Sequence, residues 1–315
     1  MGTSWQRLPS GPFTTAMAAE LNISAHQLRG LVAQGRIRRV LRGVYVATET
    51  TDSLVLRARA AALVVTKAAV VCDRTAAWLH GIDVLWHPEH DVLPRLETFV
   101  LRDHTRVQRR QMYGGERDLA PQDVVTVEGV HVTTPLRTAL DLGCALPRRD
   151  ALAALDSFMR AYAISREQLL AQVPRYFRRR GVRQLRGLVA VCDPAAESPG
   201  ESWARIEILD SNLPSPTLQW SVRRDGGELF RLDLAYPGLK ICVEYDGEEF
   251  HDSAEARASD NTRRQWLRDH GWIVIVLTKD DFTPEAVARW TEQLRRSIEA
   301  RRVTVRLRPG RRTSA

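Results

Sequence analysis

Lysine is nearly absent from this 315-residue chain: only Lys67, Lys240 and Lys279 occur among 46 basic residues. Arginine therefore carries almost all the positive charge, and its planar guanidinium grips phosphate or carboxylate through two hydrogen bonds at once. A GC-rich genome produces the same skew, so it points toward a polyanion without requiring one. Cysteine is scarce as well. Cys72, Cys144, Cys192 and Cys242 lie far apart with no Cys-x-x-Cys pair, which argues against a disulfide framework or a zinc site and reads as free thiols in a reducing compartment. No stretch approaches the roughly 18–20 apolar residues of a membrane span. The opening MGTSWQRLPS has no apolar core of a signal peptide. The expected location is the cytoplasm, with no membrane partner and no small-molecule cofactor.

What is present describes a soluble globular chain: hydrophobic residues make up 44% and charged residues 27%, enough for a core in each of two or three domains. The net charge of +8 favours a polyanionic partner. The expected fold is multidomain α+β: a winged helix-turn-helix over 1–50, a mostly helical middle domain over 53–192, and an α/β domain with a mixed sheet over 197–300. A basic tail over 301–315 follows, its arginine-rich character beginning at Arg295 and predicting a disordered arm. The stretch CDPAAESPGES (192–202) has the Pro, Ser and Gly content of a linker.

The N-terminal residues FTTAMAAELNISAHQLRGLVAQGRIRRVLRGVYVA have the grammar of a DNA reader. Thr14 or Thr15 can cap a helix that turns Met17, Ala18 and Leu21 inward, and Ser24 can cap the next. Leu28, Leu31 and Val32 follow helical spacing in that second helix, and Gly35 suits its left-handed end. RIRRVLRGVYV then alternates apolar and basic residues around Gly43, as a two-stranded wing would. The second helix would enter a major groove with Gln27 and Arg29 near base edges, while Arg36, Arg38, Arg39 and Arg42 meet phosphates. The competing account is a protein-binding winged helix whose arginines are a solvated face.

The middle of the chain has fewer pointed features. His87 and His90 flank Pro88, which breaks a helical presentation, so a loop is favoured over a metal site. RYFRRRGVRQLR (175–186) is a dense basic run that suits phosphates and a solvated helix end about equally. Together, the N-terminal winged helix, DRTAAWLHGI (73–82) and GVHVTTPLRTALDL (129–142) resemble the AbiEi family of antitoxin-like proteins. That resemblance covers roughly the first 190 residues and implies a bacterial DNA-binding regulator, with a toxin protein as a partner.

In the last third, a helix opened by Ser198-Pro199-Gly200-Glu201 precedes strand candidates at 218–224, 229–236 and 239–246. A helix from about 253 to 270 and the apolar strand WIVIVLT (272–278) follow. Parity draws attention to the acids. Pro237-Gly238 marks a turn, and a loop of two or four residues there puts Asp233 opposite Cys242, on one face with Glu244 and Asp246. Three carboxylates on a small face repel unless a cation or protons intervene. A hard divalent ion, Mg²⁺ or Mn²⁺, suits oxygen ligands of this kind, and in a basic chain with a DNA reader it suggests phosphodiester hydrolysis. His251 would act as general base or orient the attacking water.

Glu201-Ser202, LDLAYP (232–237), VEYDGEEFH (243–251) and the spaced Asp260, Arg263, Leu267, Gly271 and Trp272 resemble the endonuclease-like domain related to very-short-patch-repair enzymes. That domain belongs to the PD-(D/E)xK superfamily. The resemblance implies a restriction-endonuclease-like fold, with Asp233, Glu244 and Glu201 as metal ligands and Asp246 and His251 completing the catalytic set. Asp246 stands where that family carries a lysine, so the usual cation beside the attacking water is missing. Simpler roles compete: a Ser198–Glu201 capping box, an Asp233–Arg231 pair, an Asp246-Gly247 turn, and an Asp260–Arg264 surface pair.

Overall fold

The computed structural model describes residues 8–84, 96–101, 112–113, 116–224, 227–247 and 254–306. The chain divides into two compact units. One comprises Met1–Ala145 and Ala171–Arg179, the other Leu146–Leu170 and Arg180–Ala315. The division thus falls at 145/146, not in the stretch 192–197 expected from composition.

The first unit begins with β1 (Phe13–Thr14), α1 (Thr15–Glu20), α2 (Ala25–Ala33), β2 (Ile37–Leu41) and β3 (Val44–Ala47). Local chemistry explains each boundary. The Thr14 hydroxyl accepts from the Met17 amide at 3.2 Å. Ser24 and Gln27 cap α2 reciprocally: the serine hydroxyl accepts the Gln27 amide, and the glutamine side-chain carbonyl accepts the Ser24 amide. Gly35, at φ +67°, takes the left-handed position that ends the helix. Phe13, Ala18, Ile23, Leu28, Leu31 and Ile37 form a small core, and an antiparallel sheet ordered β1-β3-β2 closes it.

Next come α3 (Leu54–Ala62), β4 (Ala69–Val71), α4 (Asp73–Leu79), β5 (Leu96–Leu101), β6 (Met112–Tyr113) and β7 (Glu116–Arg117). They are followed by β8 (Val124–Val127), β9 (Val130–Thr133) and α5 (Pro135–Ala145). The strands form a six-stranded sheet ordered β6-β5-β4-β9-β8, with β7 beside β5. Within the span 53–192 expected to be mostly helical, this first part is therefore a mixed sheet-and-helix body, and the helices gather from Pro135 onward. Its strands are two to six residues long, too short for alternation to stand out. One signal was readable: Glu128-Gly129 joins β8 to β9 with both residues at positive φ, 47° and 80°, the conformation of a tight hairpin turn.

The second unit contains α6 (Arg148–Tyr162), most of α7 (Arg166–Gln172), α8 (Val182–Val191), α9 (Pro199–Asp210), β10 (Thr217–Arg224), β11 (Gly227–Tyr236), β12 (Ile241–Tyr245), α10 (Ala254–Asp269), β13 (Ile273–Leu277) and α11 (Pro284–Arg306). The sheet runs β10-β11-β12-β13, antiparallel at the first two pairings and parallel at the last, with α10 as the crossover. Leu234, Tyr236, Ile241 and Val243 pack with Ala204 and Ile208 of α9 and with Trp290, Leu294 and Ile298 of α11. On the other face Ala235 and Cys242 meet Leu267 and Trp272.

Two further expectations change here. The supposed linker is anchored: the Asp193 amide donates to buried Asp156 at 2.7 Å, Ala196 is fully buried, and Ser198 caps α9. The basic arm expected from Arg295 is helical as far as Arg306. Leu294 and Ile298 bury one side of it, while Arg295 and Arg301 each donate to a backbone carbonyl, of Ser211 and Gly271 respectively, at 2.7 Å. All four cysteines are buried free thiols, and burial raises each thiol's pKa.

Candidate nucleic-acid face and carboxylate cluster

In the first unit, α2 exposes His26, Gln27 and Arg29 on the side away from Leu28 and Leu31. The structure separates the residues expected to read DNA. Gln27 commits its carbonyl oxygen to the helix cap, leaving only its amide nitrogen for a base edge. Arg38 is half-buried and donates to the Thr50 carbonyl at 2.9 Å, so it helps hold the hairpin. Arg36 is exposed just before β2. Arg39 projects from β2, its guanidinium 5.9 Å from the Tyr45 ring centroid. Arg42 lies exposed in the two-residue turn, where Gly43 has φ +81°. Among the described residues, Arg29, Arg39 and Arg42 have no acidic partner.

The acids of the second unit come from three directions. The even parity expected across the turn holds, because four residues (237–240) separate Tyr236 from its partner Ile241. The register is two residues away from the expected one. Cys242 pairs with Ala235 and Val243 with Leu234, and the regular pairing ends there, just before Asp233 and Glu244. There the ladder gives way to a side chain: the Asp233 carboxylate accepts the Tyr245 amide at 3.0 Å.

Glu201, 6% exposed, enters from the first turn of α9. The Ser198 hydroxyl accepts the Glu201 amide, but the carboxylate reaches past the capping residue to the Glu197 amide at 2.9 Å and also accepts from Gln219 at 2.8 Å. Gln219 supports that bond from a φ of 49° within β10. Gly200 lets α9 approach so closely, since a Cβ there would stand 2.3 Å from the Tyr245 ring.

α10 supplies the counter-charge. Arg263 donates to Glu244 at 2.8 Å, and Arg264 donates to Asp246 at 2.6 Å with its Nε 4.0 Å from Glu244. The Asp260–Arg264 pair is replaced by a 3.9 Å approach of Asp260 to Arg263, and Arg231 pairs with Glu197 and not with Asp233. Asp233 accordingly holds its proton far more tightly than an ordinary aspartate. Its pKa is pushed up to about 7, chiefly by burial and by the neighbouring Glu201 charge, against the pull of the Tyr245 amide; Glu244 raises it further and Arg263 lowers it. Burial also raises Glu244, opposed by Arg263 and Arg264. His251 lies outside the described residues, as do His87 and His90.

These contacts decide how well a divalent ion fits. Mg²⁺ demands near-octahedral oxygen ligands at about 2.0–2.1 Å. Among the described residues, no three His, Cys, Asp or Glu side chains form a group able to hold a metal ion. Glu244 keeps one buried oxygen, Oε1, without a hydrogen bond, but its other oxygen is held by Arg263. A metal set of Asp233, Glu244 and Glu201 does not match this arrangement.

A second charge network, in the first unit, went unforeseen. Asp141 is fully buried and accepts from Arg117 and Arg137 at 2.9 Å and from Tyr176 and Arg179 at 2.6 Å. Asp123 accepts from Arg137 and Arg175, and Arg117 also donates to Asp73 and stacks on Phe99 at 3.7 Å. The Arg137–Asp141 spacing of four within one helix was the available signal. Three arginines and the tyrosine lie far off in sequence, which hid the rest. Part of the basic run at 175–186 is thereby explained: Arg175, Tyr176 and Arg179 serve buried acids.

Comparison with known proteins agrees with the N-terminal and middle regions. Residues 7–48 match the family model described as a transcriptional regulator, AbiEi antitoxin, and residues 68–190 match the AbiEi antitoxin C-terminal domain. An uncharacterized protein of Mycobacterium tuberculosis strain H37Rv is 33% identical over 269 residues, covering 84% of this chain and 93% of its own length. A protein of strain CDC 1551 / Oshkosh matches to the same extent. With both regions matched in order and a relative aligned along nearly its whole length, the chain belongs to the AbiEi antitoxin family.

Proposed function

We propose that this protein is a DNA-binding regulator of the antitoxin type. α2 lies in the major groove, with Arg29 toward base edges. Arg39 and Arg42 of the β2–β3 hairpin meet the phosphate backbone. The observation that carries the proposal is the exposure of these three arginines without acidic partners among the described residues, in a region whose family description is that of a transcriptional regulator. Arg38 acts indirectly, by holding the hairpin through Thr50. A toxin protein as second partner follows from the antitoxin family alone. Metal-dependent hydrolysis by the second unit lacks such support, because Arg263 already holds Glu244, one of the three acids of the expected ion site, and Arg264 holds Asp246 beside it.

The test is fluorescence anisotropy of the full chain with duplex DNA from upstream of its own coding region, across a series of salt concentrations. Replacing both Arg39 and Arg42 by glutamine should weaken binding to all sequences and reduce the slope of log affinity against log salt by about 1 per arginine. Arg29→Ala should relax preference for the cognate duplex over a scrambled one. An unchanged slope in the double variant would remove the hairpin from the interface.

A further inference from the structure

We infer that Arg263 and Arg264 take the place of a divalent ion in the second unit, making its Glu201–Asp233–Glu244–Asp246 cluster a closed ion-pair network. The inference rests on internal contacts and stands apart from the DNA-binding proposal. Each of the four acids has a protein partner. Glu201 is held by the Glu197 amide and Gln219, and Asp233 by the Tyr245 amide. Glu244 is held by Arg263, and Asp246 by Arg264. The two arginines supply two positive charges to the two acids of β12 and its end, so that pair of charges is balanced without a metal.

Position matters as much as count. Glu244 is 2% exposed, and the Arg263 and Arg264 side chains are 26% and 15% exposed. A cation reaching Glu244 would therefore come close to two guanidinium groups in a poorly screened site, where like charges repel strongly. Breaking the Arg263 bond to admit it would strand a partly buried charge. The Nε atoms of both arginines are buried without a hydrogen bond, and Arg263 is held in addition by donating to the Arg231 carbonyl at 3.3 Å. Asp246, which departs from the lysine of the resembling nucleases, is the residue that anchors Arg264. An acid at that position recruits a cation from α10 in place of the strand's own.

The experiment uses Mn²⁺ as probe on the full chain. Electron paramagnetic resonance should show the free-ion signal undiminished by stoichiometric protein, and thermal melting should be the same with Mn²⁺ or EDTA. A site saturated about 100-fold above its Kd would instead raise Tm by roughly 5–10 °C. Arg263→Gln with Arg264→Gln removes the competing charges. The network predicts that this variant gains a Mn²⁺-dependent rise in Tm, lost again on adding Asp233→Asn. Should the double variant not fold, the wild-type measurement decides alone. Saturable Mn²⁺ binding by the wild type that Asp233→Asn abolishes would overturn the inference. Failure here leaves operator binding, read by anisotropy in EDTA, untouched.

Discussion

The two units bury acids in opposite ways. In the first, three aspartates (Asp73, Asp123 and Asp141) meet four arginines and a tyrosine, and fully buried Asp141 alone takes four donors. In the second, two arginines answer only Glu244 and Asp246, while Glu201 and Asp233 have amide donors alone, and one Glu244 oxygen is left without a hydrogen bond. The difference shows in Asp233, whose proton affinity rises to about 7. A buried carboxylate is tolerated when donors are plentiful and becomes a source of strain when other acids are its neighbours. The first cluster answers its acids with a surplus of charged donors; the second answers two acids with arginines and two with amides.

Three substitutions probe this contrast. The largest effect is expected from Asp141→Ala, which strands Arg117 and Arg137, 13% and 9% exposed, without their shared acid. A loss of about 3–5 kcal/mol of stability should appear in urea unfolding; a loss below about 1 kcal/mol would mean the first cluster is not what holds its unit. Gly200→Ala comes next. Its new Cβ would meet the Tyr245 ring, and overpacking of that kind costs about 2 kcal/mol. A neutral result would show that α9 need not approach β12 so closely to bring Glu201 in.

The smallest effect has the opposite sign. Because the folded pKa of Asp233 is raised from 3.8 to about 7, the native state binds the proton more tightly than the unfolded chain. Its contribution favours the fold below the unfolded value, declines as pH rises through the folded value, and is level beyond. Asp233→Asn keeps an acceptor for the Tyr245 amide without the charge. It should leave Tm unchanged near pH 4 and stabilise by about 1–2 kcal/mol near pH 8. A constant difference across that range would assign the effect to packing and not to charge.

Much of the N-terminal region was legible because its determinants are local. Ser24 and Gln27 are three residues apart, Gly35 ends α2 in place, and the hairpin turns at Arg42-Gly43. The order of elements after Ser198 was legible too, and so was the parity of β11 and β12. Their register was not: parity depends only on whether the loop is odd or even, whereas register depends on how many residues the turn Pro237–Leu239 and Lys240 absorb. The six-stranded sheet escaped because β4 finds β5 and β9, both later in the chain and more than 20 residues away, and strands that short carry no pattern of their own.

By itself, then, the sequence determined the caps, turns and helical faces of the N-terminal region, the fate of its cysteines as lone thiols, and the even parity of the turn between β11 and β12. All of these follow from contacts within a few residues or from the two-residue period of a strand. Only the tertiary structure decided which arginines remain available to a polyanion and which are spent on buried acids. Arg175 and Arg179 reach Asp123 and Asp141, and Arg263 and Arg264 reach Glu244 and Asp246, across separations that composition cannot see. A guanidinium on a long side chain is free or committed according to what the fold brings within about 3 Å of it.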